Sequence, residues 1–168
     1  RMQILNSDGS ESEMCGNGLR CFAEFLYQQG VTPDCLDIQT GAGLLSVERQ
    51  SHELKRVNMG PPRLLAKDIP VIGFSGERVI EDYLHVGEQA FVVTMVSMGN
   101  PHCVIRIPNL ERFDFAFWGP RLESNPAFPA RANIEFVEVL SPTQAKVKVW
   151  ERGVGPTLAC GTGACAVL

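Results

Sequence analysis

The motif Cys-Gly-x-Gly occurs twice in this chain of 168 residues, beginning at Cys15 and again at Cys160. Each copy joins a thiol to a flexible turn and then to an apolar run that favours a helix. A thiol just before a helix meets the positive end of the helix dipole and unpaired backbone N–H groups, which stabilise a thiolate. We therefore expect two helix starts, each with a thiol of lowered pKa. Two matching sites indicate a pair of acid/base groups that face one substrate carbon from opposite sides.

The composition is that of a globular protein and excludes two classes of partner. Hydrophobic residues make up 45% of the chain and charged residues 20%, and the length suits one ordinary domain or two small ones. The net charge is -4 and the basic residues are scattered, which argues against nucleic-acid binding. No apolar stretch reaches the roughly 18 to 20 residues that a membrane span needs.

The cysteines are predicted to be free thiols in a reducing compartment. Acidic residues interrupt positions 1–30, so this segment does not resemble a secretory signal. No Cys-x-x-Cys pair occurs, and we expect no metal site. The location is predicted to be cytoplasmic, or the plastid stroma in a plant. Four cysteines outside the paired positions are predicted to be buried as small apolar side chains: Cys21, Cys35, Cys103 and Cys165.

Residue spacing predicts many strands and few helices, which indicates an α+β fold class. Helices are predicted over 16–29, with Gly30 as the terminating residue, and over 113–124. The predicted strands are 2–5, 35–40, 44–49, 53–59, 83–86, 90–97, 103–107, 134–140 and 145–150, most of them in antiparallel hairpins. The Gly and Pro residues over 59–62 predict a boundary between domains 1–58 and 59–168, and a loop over 151–157 leads to the second motif.

Both ends of the chain interrupt a predicted element. Residues 1–5 read like the middle of a strand, and Leu168 stops the chain inside the apolar run of a helix that is beginning. We therefore expect an internal fragment of a longer protein, here called the whole protein. Such a fragment leaves apolar surface and strand edges uncovered. We therefore expect the 168-residue fragment by itself to be poorly soluble and inactive.

Five segments together resemble the diaminopimelate epimerase family. They run in the family's order, and the resemblance covers essentially the whole chain. The segments are Asn-Ser-Asp-Gly-Ser at 6–10, Glu-Met-Cys-Gly-Asn-Gly at 13–18, Ser-Met-Gly-Asn-Pro-His at 97–102, Glu-Arg-Gly at 151–153 and Leu-Ala-Cys-Gly-Thr-Gly-Ala-Cys at 158–165.

The resemblance implies a fold, a reaction and a set of site residues. The implied fold has two similar domains, each with a β-sheet wrapped around a central helix, and both would be incomplete here. The implied reaction is the cofactor-independent epimerisation of LL-diaminopimelate to the meso form, in lysine and peptidoglycan precursor biosynthesis, by an enzyme that often forms homodimers. Cys15 and Cys160 match the two acid/base residues, and His102 and Glu151 match residues that tune the thiols. The matching substrate-binding residues are Asn6, Asn100, Asn133, Glu151 and Arg152.

The chemistry of inversion explains why two thiols are needed. A single base would return the proton to the face from which it came, so one thiolate and one thiol must exchange roles. The charge that develops on the substrate carboxylate needs nearby donors. Backbone N–H groups after each cysteine are suited to this role, and we expect them from Gly16, Asn17, Gly161 and Thr162.

Three other functions stay open at this point. A proline or hydroxyproline racemase would share the two-cysteine logic, but its substrate has no distal amino-acid group for the Asn and Arg side chains to hold. A thiol hydrolase could pair either cysteine with His102, but it leaves the second motif unexplained. A redox or metal-binding module would need no substrate site at all.

Overall fold

The computed structural model describes residues 1–5, 9 and 11–168, and it divides into two compact units, Arg1–Pro61 and Pro62–Leu168. Each unit combines helical structure with sheets that are antiparallel for the most part. The predicted α+β class is therefore confirmed. No described helix is long and apolar enough to cross a membrane.

The first unit packs one helix on a small antiparallel sheet. Its elements are β1 (Ile4–Leu5), β2 (Glu11–Ser12), α1 (Gly16–Gln28), β3 (Cys35–Thr40), β4 (Gly43–Arg49) and β5 (Lys55–Val57). Strand β1 pairs with β2, and β3, β4 and β5 form the sheet. On α1, Leu19 and Ala23 lie four residues apart on one face, and both are fully buried in a cluster with Ile38 and Val47 of the sheet.

Helix α1 ends at Gln28, one residue before the predicted end, and Gly30 terminates it as the sequence predicts. Gly30 adopts a positive φ of 87°, a conformation that favours glycine. Its N–H donates to the Tyr27 carbonyl at 3.0 Å, and the N–H of Val31 donates to the Leu26 carbonyl at 3.1 Å. These bonds satisfy carbonyls that would otherwise be left without donors at the helix end.

The second unit is built on one six-stranded sheet. Its elements are a short 3₁₀ turn (Ala66–Asp68), β6 (Asp82–Val86), β7 (Gln89–Ser97), β8 (Pro101–Arg106), α2 (Phe115–Glu123), β9 (Asn133–Ser141), β10 (Gln144–Glu151), β11 (Gly155–Thr157) and α3 (Gly161–Val167). The strand order is β11-β10-β9-β8-β7-β6.

One strand pair departs from the predicted hairpins. Strands β8 and β9 run parallel, and α2 lies in the connection between them. A parallel pair needs such a crossover because a tight turn can join only antiparallel strands. Another departure concerns the predicted loop over 151–157, which in part forms β11 and pairs with the end of β10.

The parallel pair separates apolar from polar side chains. In β9, Ile134 and Phe136 belong to the large apolar cluster of this unit, together with Cys103 of β8. Alternation along a strand sends the residues between them to the opposite face. That face carries His102 and Glu135, both completely buried, and helix α3 packs against β8 and β9. Polar groups are thus buried beneath the helix that the second Cys-Gly-x-Gly motif begins.

The six cysteines are all free, as the sequence predicts, but their burial differs. Cys103 is buried, and the prediction is confirmed for this residue. Cys21 and Cys35 are exposed, so the prediction that they pack inward is wrong. Cys35 begins β3, where its side chain points away from the cluster that Ile38 enters.

This contrast gives a stability prediction. Cys103→Ser should lower the free energy of unfolding by about 1–3 kcal/mol, because it places a hydroxyl in an apolar cluster. Cys35→Ser, the matched control, should change it by no more than about 0.5 kcal/mol because the side chain is already solvated. Urea denaturation of the whole protein measures both values. Equal losses in the two variants would contradict the assigned burial.

Candidate active site

Both motif thiols cap the helices that follow them. Cys15 is extended, with φ -146° and ψ 106°, and its Sγ accepts from the Gly18 N–H at 3.3 Å. Cys160 has φ -120° and ψ 117°, and its Sγ accepts from the Gly163 N–H at 3.4 Å. A sulfur thus takes the place that a Ser or Asp oxygen usually fills at a helix start. The predicted placement of each thiol is confirmed.

In the first unit, the predicted site residues gather at the start of α1. Cys15 is half-buried and Gly16 is buried, while the Asn17 Oδ1 accepts from the Arg20 guanidinium one turn further along the helix. The remaining predicted residue of this part of the chain, Asn6, lies outside the described residues.

In the second unit, a line of hydrogen bonds joins a buried carboxyl group to Cys160. The Glu135 Oε1 lies 2.7 Å from the His102 Nδ1, and the His102 Nε2 lies 2.9 Å from the Asn100 Oδ1. The Asn100 Nδ2 donates to the Thr162 Oγ1 at 3.4 Å, and this hydroxyl lies 3.2 Å from the Cys160 Sγ. The structure therefore brings four sequence-predicted residues into one network, and Glu135 joins them.

Both ring nitrogens of His102 are occupied within this network. Neither one contacts the Cys160 sulfur, because Nδ1 faces Glu135 and Nε2 faces Asn100. A general base for a nucleophilic thiol must reach the sulfur directly. The hydrolase that would pair Cys160 with His102 therefore has no support in this unit.

Asn133 of β9 links the turn after β10 to strand β8. Its Nδ2 donates to the Pro101 carbonyl at 3.0 Å, and its Oδ1 accepts from the Arg152 backbone N–H at 3.0 Å. The Arg152 Nη1 donates to the Ala130 carbonyl at 3.4 Å. Asn133 therefore holds the backbone from which the Arg152 guanidinium projects.

Glu151 and Glu123 stabilise the same turn. The Glu151 Oε1 accepts from the Thr157 hydroxyl at 2.5 Å, which joins the ends of β10 and β11. Glu123, at the end of α2, is buried and accepts from the Gly153 N–H at 2.9 Å and from the Trp150 Nε1 at 2.8 Å. The segment that carries Arg152 is thus fixed from two sides.

The environment of Cys160 favours its neutral form. Burial raises the pKa of its thiol to about 11, and the Glu151 and Glu135 carboxylates add to this effect. Hydrogen bonds from Thr162 and Gly163 act in the opposite direction without overcoming it. The expectation that the helix start lowers the pKa toward neutrality is therefore wrong for Cys160, because desolvation of the charged sulfur outweighs the donors.

Sequence reasoning missed Glu135 and Glu123. Burial raises the pKa of Glu135, while the adjacent His102 acts to lower it. A Cβ at Gly163 would lie 2.7 Å from the Glu135 Oε1, so this glycine allows α3 to approach the carboxyl group. The available signal was an acidic residue inside an otherwise apolar strand, since Glu135 stands between Ile134 and Phe136. Glu123 offers no comparable signal.

Comparison with known proteins identifies the family. The family model described as Diaminopimelate epimerase matches residues 1–65 and 94–168. The chain belongs to the diaminopimelate epimerase family. Among its relatives, the protein named diaminopimelate epimerase of Desulforudis audaxviator (strain MP104C) is 53% identical over 171 residues, which cover 99% of this chain and 61% of that protein. The one of Trichodesmium erythraeum (strain IMS101) is 49% identical over 98% of this chain and 60% of that protein.

A solved structure shares the fold of this chain, and the curated relatives are longer than the chain. A PhzF-family phenazine biosynthesis protein of Bacillus anthracis has the same fold, with a TM-score of 0.55 at 19% identity over 93% of this chain and 56% of that chain. The chain spans 60–61% of the length of the diaminopimelate epimerases it matches.

Proposed function

We propose that the whole protein inverts one α-carbon of LL-diaminopimelate to give the meso form, with Cys15 and Cys160 as the acid/base pair and without a cofactor. The observation that carries this proposal is the matched placement of two half-buried thiols, each as the cap of a helix in a Cys-Gly-x-Gly motif. The reaction would serve lysine and peptidoglycan precursor biosynthesis. Six free cysteines suit a reducing compartment, and the proposal includes a cytoplasmic location.

The two thiols would act in opposite protonation states. Cys160, with a pKa of about 11, keeps its proton at neutral pH and is suited to donate it. In the reaction direction in which Cys160 is the acid, Cys15 must be the base and must remove the α-proton as a thiolate. In the reverse direction the roles exchange, so Cys160 must lose its proton, and the donors around its sulfur become important for the rate.

Substrate binding is proposed for the residues around each thiol. Backbone N–H groups of Gly16, Asn17, Gly161 and Thr162 would hold the carboxylate next to the reacting carbon. The distal amino and carboxylate groups would be held by Asn6, Asn100, Asn133, Glu151 and Arg152. A guanidinium can form two parallel hydrogen bonds with a carboxylate, while amide side chains both donate and accept. His102 and Glu151 would tune the two thiols, and the negative charge of Glu151 already acts on Cys160.

Hydrogen exchange at the substrate carbon tests this function. The whole protein is incubated with LL-diaminopimelate in deuterated water, without added cofactor, and the product is separated by chirality and analysed by mass spectrometry. We expect one deuterium at the inverted α-carbon of the meso product. L-Proline and trans-4-hydroxyproline serve as control substrates, and their turnover in place of diaminopimelate would favour the racemase alternative. Inversion without label, or a requirement for pyridoxal phosphate, would contradict the mechanism.

A further inference from the structure

We propose that Thr162 is a positioning residue that donates a hydrogen bond to the Cys160 sulfur, and that Glu135 fixes the direction of this bond through His102 and Asn100. The expected effect of Thr162 on turnover rests on the proposed function. The hydrogen-bond arrangement itself stands on the geometry of the second unit.

The direction of the bond follows from counting donors and acceptors. The Asn100 Nδ2 carries only hydrogens toward its neighbours, so it must donate to the Thr162 Oγ1. That hydroxyl keeps its own hydrogen for the Cys160 Sγ at 3.2 Å, and because a thiolate sulfur can only accept, the hydroxyl is the donor in the state in which Cys160 is charged. A sulfur that accepts this bond is stabilised as a thiolate, the form in which Cys160 would act as the base.

The orientation of Asn100 depends on the groups behind it. Its Oδ1 can only accept, so the His102 Nε2 at 2.9 Å must carry a hydrogen. On the other side of the ring, Nδ1 shares a proton with the Glu135 carboxyl group at 2.7 Å, where both side chains are fully excluded from water. A turn of the Asn100 amide would place its Nδ2 against the hydrogen on the His102 Nε2, and its Oδ1 would then accept the Thr162 hydrogen in place of the sulfur.

The buried carboxyl group of Glu135 is only partly hydrogen-bonded. Its Oε2 is buried and has no hydrogen-bond partner among the described residues. Buried polar atoms in proteins are nearly always paired. Its Oε1 also lies under the first turn of α3, at the position that a Cβ on Gly163 would crowd. The carboxyl group is therefore placed where it acts on both His102 and Cys160.

Several charged or titratable groups share the surroundings of the Cys160 sulfur. Glu135 of β9 and Glu151 of β10 oppose the thiolate by their charge, and His102 of β8 is linked to it through Asn100. The backbone N–H of Gly163 and the Thr162 hydroxyl favour the thiolate. Thr162 is thus the one described side chain that both contacts the sulfur and stabilises its charged form.

Alkylation of Cys160 as a function of pH tests the proposal. The whole protein is treated with iodoacetamide between pH 7 and 11, and the modification of each cysteine is followed by mass spectrometry. We expect Thr162→Val to slow alkylation of Cys160 by about tenfold or more below pH 10, since a hydrogen bond to a charged group is worth about one pH unit or more. Thr162→Ser keeps the hydroxyl and should retain the wild-type profile. The exposed Cys35 in the same sample reports the intrinsic reagent rate.

A double-mutant cycle tests whether Glu135 acts on the Cys160 sulfur through Thr162. Glu135→Gln should move the Cys160 profile, and it should move it measurably less when Thr162→Val is already present. Equal shifts in the two backgrounds would show that Glu135 acts on the sulfur by charge alone. If Glu135→Gln does not fold, Asn100→Leu interrupts the same chain and must also change the profile.

Two results would overturn the role proposed for Thr162, and both are distinguishable from failure of the proposed function. They are an unchanged Cys160 profile in Thr162→Val and an equal change in Thr162→Val and Thr162→Ser. Turnover of diaminopimelate is measured on the same preparations. If the wild-type protein did not turn over diaminopimelate, the epimerase assignment would be wrong. The alkylation comparison would still test the hydrogen bond to the Cys160 sulfur. With turnover present, Thr162→Val should lower kcat in the direction that uses Cys160 as the base, more than it raises KM.

Discussion

Replacing either Cys15 or Cys160 by serine in the whole protein should lower the rate of diaminopimelate inversion by about 100- to 10,000-fold, the range that a single acid/base group contributes. A hydroxyl has almost the same size as a thiol but is a much weaker acid, so it neither removes nor returns the α-proton at neutral pH. Initial rates in both reaction directions measure the loss. The folded state should be preserved, because a serine oxygen can accept the helix-capping hydrogen bond that each sulfur accepts.

Cys35→Ser is the matched control for this loss. Its side chain is exposed at the start of β3, so the same chemical change should leave the rate within about twofold of wild type. Circular dichroism melts of all three variants separate loss of chemistry from loss of structure. Full activity in the Cys15 or Cys160 variant would remove that residue from the mechanism.

Arg152→Lys should raise KM for diaminopimelate by about ten- to 100-fold, the equivalent of losing charge-assisted hydrogen bonds. Lysine keeps the charge but cannot form two parallel bonds to a carboxylate. The backbone N–H at position 152, which donates to Asn133, is unaffected by the substitution. The turn should therefore keep its shape, and the effect should come from the side chain.

Arg131→Lys is the matched control for Arg152→Lys. Arg131 is exposed, lies near the same turn and approaches Glu123 at 3.5 Å, and we place it outside the substrate site. Steady-state kinetics of both variants should show an increase in KM for Arg152→Lys alone. Unchanged KM and kcat in Arg152→Lys would mean that its guanidinium does not hold the distal carboxylate.

The elements that sequence predicted well are those with a strong local pattern. Strand β3 has its predicted bounds, and α1 ends one residue before the predicted position. Apolar spacing and a terminating glycine are local signals, and both are present there. The pairing of β8 with β9 was missed because parallel partners are distant in sequence and no turn residue marks them.

The site residues likewise differ in whether neighbouring sequence was enough to predict them. Cys15 and Cys160 are recognisable because each stands beside the glycines and apolar residues that create its setting. Glu135 has only one local signal, its place between two apolar strand residues, and its role depends on His102, which is 33 residues away in the chain. The raised pKa of Cys160 could not be predicted either, because burial is a property of the assembled unit and overrides the local helix start.

The parallel pairing of β8 and β9 also sets when the second half of the site can form during folding. Hairpins such as β6–β7 and β9–β10 close short loops, whereas His102 and Asn133 become neighbours only after α2 and its connections have crossed the sheet. Contacts between distant residues lose more chain entropy before they gain stability, so they form later. We therefore expect the surroundings of Cys160 to assemble late in the folding of this unit, so that the thiol becomes desolvated only when the fold is nearly complete.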